Sequence, residues 1–259
     1  MNSPVLEFDG ASVNLAEEAT AAVTGIDWRI AEGESWVIGG LQGSGKSAVL
    51  EAAAGLTPVL SGTVRLFGVS LDGLTPKEAR DLRLRVGVVF EGSGRLFTDL
   101  TVLENLTLPL RYHRELSFAD ATEAVAPLLE SLDLVTVASR YPGKIGYGVA
   151  KRVALARALV LRPAILLVDD PLRSLDSTQA RAMRRHLQEF NRGHAWCDGR
   201  PVTLIVTAEE LRPFVNPSNQ FAIIDKHGWK IVGTREQLLG DRSDAVRELL
   251  AEHSEHAMS

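Results

Sequence analysis

The 259-residue sequence holds one cysteine, no long apolar run and no excess of basic charge, and each shortage excludes something. Cys197, being alone, cannot close an internal disulfide, which fits a reducing compartment. The longest apolar run, Ala164 to Val168, falls far short of the roughly 20 residues that cross a bilayer. The N-terminal MNSPVLEFDG has no basic stretch followed by an apolar one, so it does not read as a secretory signal. Any work at a membrane is therefore expected to draw its spanning part from another chain. A net charge of −5 argues against a nucleic-acid surface, because phosphate neutralisation needs clustered Lys and Arg. The six histidines show no metal-ligand spacing, and the chain has neither an internal repeat nor a low-complexity segment.

The composition is that of a soluble globular domain, with 45% hydrophobic and 24% charged residues. VLEFDGASVNL and GIDWRIAEGESWVIGG read as strands, with turns expected at Gly25 and at Glu32 to Glu34. SAVLEAAAGL reads as a helix, SGTVRLFGVSL as a strand, and Thr75, Pro76 and Glu78 mark a helix start. VGVVF and AILLVDD are buried-type strands on either side of a mostly helical block from Thr101 to Val160. STQARAMRRHLQEF then reads as a helix, PVTLIVTA as a strand, and FAIIDKHGWKIVG as a hairpin around Lys226 to Gly228. Strands flanking a helical block, followed by further βα alternation, predict an α/β domain with a helical insertion. DRSDAVRELLAEH is an amphipathic helix candidate, and the tail HSEHAMS is expected to fray.

GGLQGSGKSAVL, Gly39 to Leu50, carries G-x-x-x-x-G-K-[ST] at Gly40, Gly45, Lys46 and Ser47, between a strand and a helix as the motif requires. Glycines let backbone N–H groups curl around phosphate oxygens, and the helix N-terminus adds its positive dipole end. The phosphate cradle is read as Gly40, Gln42, Gly43, Ser44, Gly45, Lys46, Ser47 and Ala48. Lys46 is expected to reach the β and γ phosphates and the Ser47 hydroxyl to bind Mg²⁺. The apolar strand ending at Asp169 places a second Mg²⁺ carboxylate about 120 residues after the loop.

The segments VGVVFEGSGRLFTDLTVLENLTLPLR and GYGVAKRVALARALVLRPAILLVDDPLRSLD make the chain resemble an ATP-binding cassette (ABC) ATPase over nearly its whole length. Within that family it looks most similar to the ATPase subunits of bacterial lipid-asymmetry transporters. The resemblance implies a P-loop NTPase with a RecA-like core, an antiparallel β subdomain and a helical insertion, forming a single domain over 1–259. Residues 1–94 and 161–259 would form core and β subdomain, and 95–160 the helical subdomain. It further implies a head-to-tail homodimer or ABC heterodimer that clamps two Mg-ATP molecules between the P-loop of one subunit and the signature motif of the other. A membrane permease would dock on a groove floored by Leu96, Phe97 and Leu100, holding the chain on the cytoplasmic face of the inner membrane.

Against the family's pattern several positions are altered. Glu91 replaces the Gln that touches Mg²⁺ and the attacking water, and Asp170 replaces the catalytic Glu. Ala208 stands at the switch His, and Ile145, Gly146, Tyr147, Gly148 and Val149 stand where the signature reads L-S-G-G-Q. Val13 falls near the adenine-stacking aromatic, with Trp28 a weaker substitute. The D-loop residues Ser174, Leu175 and Asp176 are kept. These changes predict intact nucleotide binding with slow hydrolysis, since losing one positioned acid–base group costs about 10²–10⁴-fold. A non-hydrolysing pseudo-ATPase that clamps a complex is the alternative. His186 and His194 are expected to be solvated, as is the face carrying RAMRRHLQEFNR, and Cys197 to be a loop thiol.

Overall fold

The computed structural model describes residues 4–15, 22–92 and 94–251. The tail expected to fray and the first residues of the N-terminus lie outside these. The described strands are β1 (Leu6–Asn14), β2 (Ala22–Ile30), β3 (Ser35–Gly39), β4 (Ser61–Leu66), β5 (Val69–Ser70), β6 (Val86–Val89), β7 (Ile165–Val168), β8 (Thr203–Ala208), β9 (Asn219–Asp225) and β10 (Gly228–Gly233). They run in one sheet in the order β5-β4-β1-β2-β10-β9-β3-β8-β7-β6. From β9 to β6 the neighbours are parallel, with Gly39 opposite both Ala208 of β8 and Ile223 of β9. From β5 to β2 they are antiparallel, and the two parts join through a single pair, Gly228 with Thr24.

The helices are α1 (Lys46–Ala53), α2 (Pro76–Arg83), α3 (Val102–Arg114), α4 (Phe118–Ser131), α5 (Tyr147–Leu159), α6 (Ser177–Arg192), α7 (Arg235–Gly240) and α8 (Asp244–Leu250). Thr75 starts α2 as expected, in a capping box with Glu78, and Thr101 with Glu104 starts α3 the same way. The helical block predicted between VGVVF and AILLVDD is α3, α4 and α5. The candidate terminal helix is α8, which buries Val246 and Leu249 against the domain, and the Leu249 carbonyl accepts from Leu211 N–H at 2.8 Å. None of the described helices is long and apolar enough to cross a membrane.

Strands of the parallel part are apolar on both faces, because both faces are covered. Val37, Leu166, Val168, Leu204 and Val206 point into one core with α3 to α6. Trp36, Ile38, Ile165, Leu167 and Ile205 point into a second, shared with α1 and the antiparallel strands. Strands packed on both sides cannot tilt or slip, so the loops leaving their carboxyl ends start from fixed points.

Two expectations need correction. Gly25 is not a turn but sits inside β2, at positive φ (68°), where the register with β1 shifts between Val23 and Ile26. Cys197 does lie in the connection between α6 and β8, in a short 3₁₀ turn, Ala195–Cys197, but it is buried there, 3% exposed, and burial pushes its pKa up to about 11. His186 is not solvated. It lies on the inner face of α6 with Met183, Leu187 and Phe190, because the 3.6-residue repeat turns it inward, whereas His194 is half-buried and its Nδ1 accepts from Trp196 N–H.

Neither ring nitrogen of His186 has a hydrogen-bond partner, the Glu189 carboxylate being 3.5 Å from Nδ1. Burial, with Arg185 and Arg152 nearby, lowers its pKa, and Glu189 and Asp133 oppose this only in part. A lowered histidine pKa gives stability that is full above the unfolded value, near 6.5, and is lost as pH falls through the folded value. Chemical denaturation at pH 7 and pH 5 should therefore show a midpoint that drops in acid, and a His186→Leu variant with a shallower drop.

Candidate functional site

The parallel strands β3, β6, β7 and β8 all end at one edge of the sheet, where open α/β sheets bind ligands. Each is followed within two residues by groups capable of chemistry: the loop from Gly40 after β3, Glu91 after β6, Asp169 and Asp170 after β7, and Glu209 after β8. The sheet thus assembles groups far apart in sequence.

The loop from Gly40 leads into α1, whose N-cap is Gly45 at φ 103°. A Cβ there would fall 2.5 Å from both Leu15 Cδ2 and Val23 Cγ2, so the position admits only glycine. At Gly40 a Cβ would strike Ser44 Oγ and the Ile224 carbonyl. Lys46 is buried, its Nζ donating to the carbonyls of Gly40 (2.6 Å) and Leu41 (2.8 Å). Burial lowers its pKa, opposed by Glu209, Asp170, Asp169 and Glu91, in that order. Ser47 is exposed at the start of α1, with Gln42 and Gly43 exposed in the loop and Ala48 half-buried. Ser44 Oγ is buried with no partner, so the loop holds an unmet polar group beside backbone and ammonium donors, as a phosphate cradle needs.

Across from the loop, Thr207 ties the acidic strand end together. Its fully buried hydroxyl donates to Asp169 Oδ1 at 2.6 Å and accepts from Asp170 N–H at 2.9 Å. Asp169 keeps its second oxygen, and hard oxygen donors from Asp169, Ser47 and Glu91 suit Mg²⁺. Asp170 is held at φ 41°, and its carbonyl accepts from the buried Lys151 Nζ at 2.8 Å. Burial, then Glu209, raises the Asp170 carboxyl to about 6, while Lys151, Lys46 and Arg173 pull it down. Arg173 Nη1 lies 3.0 Å from Glu91 Oε1, 3.2 Å from Glu209 Oε1 and 4.0 Å from Asp170 Oδ2. Glu91, Asp169 and Asp170 therefore lie at one end of the sheet, all acting electrostatically on Lys46.

Other expected positions lie elsewhere or do different work. Val13 is 1% exposed in the second core and presents no face to a base, and Trp28 is equally buried among Phe8, Trp36 and Trp229. Leu15, half-buried beside Gly45, is the side chain that flanks the loop. Ala208 is buried inside β8 and reaches the loop only through its carbonyl, which accepts from Gly40 N–H at 3.2 Å. Gly146 caps α5 and Tyr147 opens it, exposed, with Lys151 Nζ 5.3 Å from its ring centre. Gly148 is buried in the first turn of α5, with the end of the exposed Gln179 side chain of α6 lying over it. Asp176 spends a carboxylate oxygen capping α6, accepting from Thr178 and Gln179 N–H, while Ser174 is exposed at φ 60°. Of the expected groove floor, Leu96 is buried, Leu100 half-buried and Phe97 53% exposed with Arg157 over its ring, so of the three Phe97 alone is exposed.

Sequence reading missed Thr207, Glu209, Arg173, Lys151 and Leu15. The available signal was position, since Thr207 and Glu209 flank the C-terminal end of a buried strand and Arg173 follows the acidic pair within four residues.

A strand, a glycine loop folded onto its own lysine, a helix, and carboxylates on neighbouring parallel strands define a P-loop nucleotide-binding protein. The family model described as "ABC transporter" matches residues 23–173. The methionine import ATP-binding protein of Rhizobium johnstonii is 30% identical over 90% of the chain, which spans 65% of that relative's length. The lipoprotein-releasing system ATP-binding protein of Psychrobacter arcticus is 34% identical over 66% of the chain and 76% of the relative. Among solved structures, the ATP-binding cassette MJ0796, a dimer bound to ADP and Pi, is 25% identical with TM-score 0.75, over 87% of this chain and 96% of that one. The chain belongs to the ABC transporter family.

Replacing Thr207 by Val would strand the Asp170 N–H and one oxygen of Asp169, and should cost about 1–3 kcal/mol of stability in urea titration. Thr207→Ser, which keeps the hydroxyl, should recover most of it.

Proposed function

We propose that the chain is the nucleotide-binding subunit of an ABC transporter, binding Mg-ATP and powering or gating transport by a membrane permease. The observation that carries this is the inward turn of Lys46 onto the carbonyls of its own loop, with the carboxylates of Glu91, Asp169, Asp170 and Glu209 facing it. Only a polyanion bringing its own cation would suit both sets of charges. The loop N–H groups and Lys46 would hold the β and γ phosphates, and Ser47, Asp169 and Glu91 would hold Mg²⁺, which supplies charge neutralisation at the transferred phosphoryl group. Leu15, rather than Val13, would give the base an apolar neighbour.

Hydrolysis is proposed to be slow. Asp170 would be the base, and it is one methylene shorter than Glu, with its backbone pinned by Thr207 and Lys151. Ala208 has no polar group to offer a terminal phosphate, and Glu91 is paired with Arg173. The two sites are proposed to form across a homodimer or heterodimer, each closed by the Gly146, Tyr147 and Gly148 segment of the facing subunit, with Ser174 and Asp176 in the D-loop between them. The exposed face of Phe97 would take a segment of the permease, holding the chain at the cytoplasmic face of the inner membrane. Lipid as the transported class rests on the segments Val86 to Arg111 and Gly146 to Asp176, and the lipoprotein-releasing relative is in keeping with it.

The altered positions also favour the second reading, a pseudo-ATPase that binds ATP to clamp a complex. Titration with a fluorescent ATP analogue and Mg²⁺ should show saturable binding that Lys46→Ala abolishes. Phosphate release should run far below the enzyme median of about 10 s⁻¹. Turnover near that median would remove the slow-hydrolysis reading, and release at the uncatalysed rate would leave the clamp.

A further inference from the structure

Arg173 stands where no motif asks for a cation. It sits in the tight turn between β7 and α6, bracketed by Asp170 at φ 41° and Ser174 at φ 60°, so its Cα is fixed by the strand and the helix. Its Nη1 serves Glu91 and Glu209 together and approaches Asp170. The side chain is 36% exposed, and among the described residues no hydrogen bond engages Nη2, so part of the guanidinium's five-donor fork stays open toward the edge of the sheet. An exposed arginine on one carboxylate would be an ordinary surface pair of little consequence. Here one nitrogen binds the carboxylates that follow β6 and β8, and both of those also act on Lys46.

We propose that Arg173 sets the site's preference for a nucleoside triphosphate over a diphosphate, by offsetting Glu91 and Glu209 so that a terminal phosphate can lie beside them. This rests on the nucleotide-binding reading above and adds a residue to it. Lys46 faces four carboxylates, Glu209, Asp170, Asp169 and Glu91. Against these stand Lys46 itself, Lys151, held on the Asp170 carbonyl, and Arg173. A diphosphate ends within reach of the loop and meets mainly backbone N–H groups and Lys46. A triphosphate would extend one phosphate further toward the ends of β6 and β8, where Ala208 offers only a buried methyl group. Without Arg173, two carboxylates would face that phosphate unscreened, and at an effective dielectric near 20 such repulsion over about 6 Å amounts to tenfold or more in affinity. Glu91 and Arg173 are thus a matched pair, the cation making the extra carboxylate tolerable.

The test is equilibrium titration of the full chain with fluorescent ATP and ADP analogues in Mg²⁺. Arg173→Met should weaken ATP about tenfold or more and leave ADP nearly unchanged, while Arg173→Lys should keep most of the ATP preference. Adding Glu209→Gln to Arg173→Met should restore part of the ATP affinity, and Glu209→Gln alone should raise ATP affinity without moving ADP. Arg173→Lys and Glu209→Gln alone keep the proposal testable if Arg173→Met does not fold, which its melting curve will show. Equal losses for ATP and ADP, an unchanged ATP affinity in Arg173→Met, or no response to Glu209→Gln alone would overturn it. A wild-type chain that binds neither nucleotide would instead sink the nucleotide-binding reading itself.

Discussion

Like charges gathered at one edge of a sheet stay together only if something holds them against their own repulsion. In this chain the holding is done by one buried hydroxyl and one guanidinium. Thr207 fixes Asp169 and the backbone of Asp170 from beneath, and Arg173 bridges Glu91 and Glu209 from the solvent side. Lys46, satisfied by carbonyls of its own loop, is coupled electrostatically to the same carboxylates. Such an arrangement places ligands for a cation and donors for an anion within one cleft, which is what a metal-bound polyphosphate requires.

That precision is inherited from packing. β3, β7 and β8 are buried on both faces, so their ends cannot shift without disturbing two cores at once. Gly45, at φ 103°, is locked by Leu15 and Val23, so the glycine of the loop answers to a steric demand inside the same chain. Within this frame Ala208 completes β8 and Asp170 is held by its backbone bonds to Thr207 and Lys151.

Much of the fold could be read from the chain, because periodicity and turn chemistry are local. The capping box at Thr75, the buried strand ending at Asp169 and the glycine loop before Lys46 are written in consecutive residues. Val13, Trp28 and His186 misled for one reason: which face of an element turns inward depends on what packs against it, and a strand or helix read alone does not say. Gly25 misled because a bulge and a turn use the same left-handed glycine.

The sequence by itself determined the phosphate loop, the acidic strand end and the ABC family, since each is carried by contiguous residues whose spacing is the signal. Only the tertiary structure decided that Glu91, Asp170 and Glu209 share one arginine, and that Thr207 rather than any motif residue orients Asp169. These groups lie on strands that are neighbours in the sheet but up to 118 residues apart in the chain, the separation of Glu91 from Glu209 (209 − 91). Electrostatic coupling falls off with distance in space, and distance in space is set by the fold.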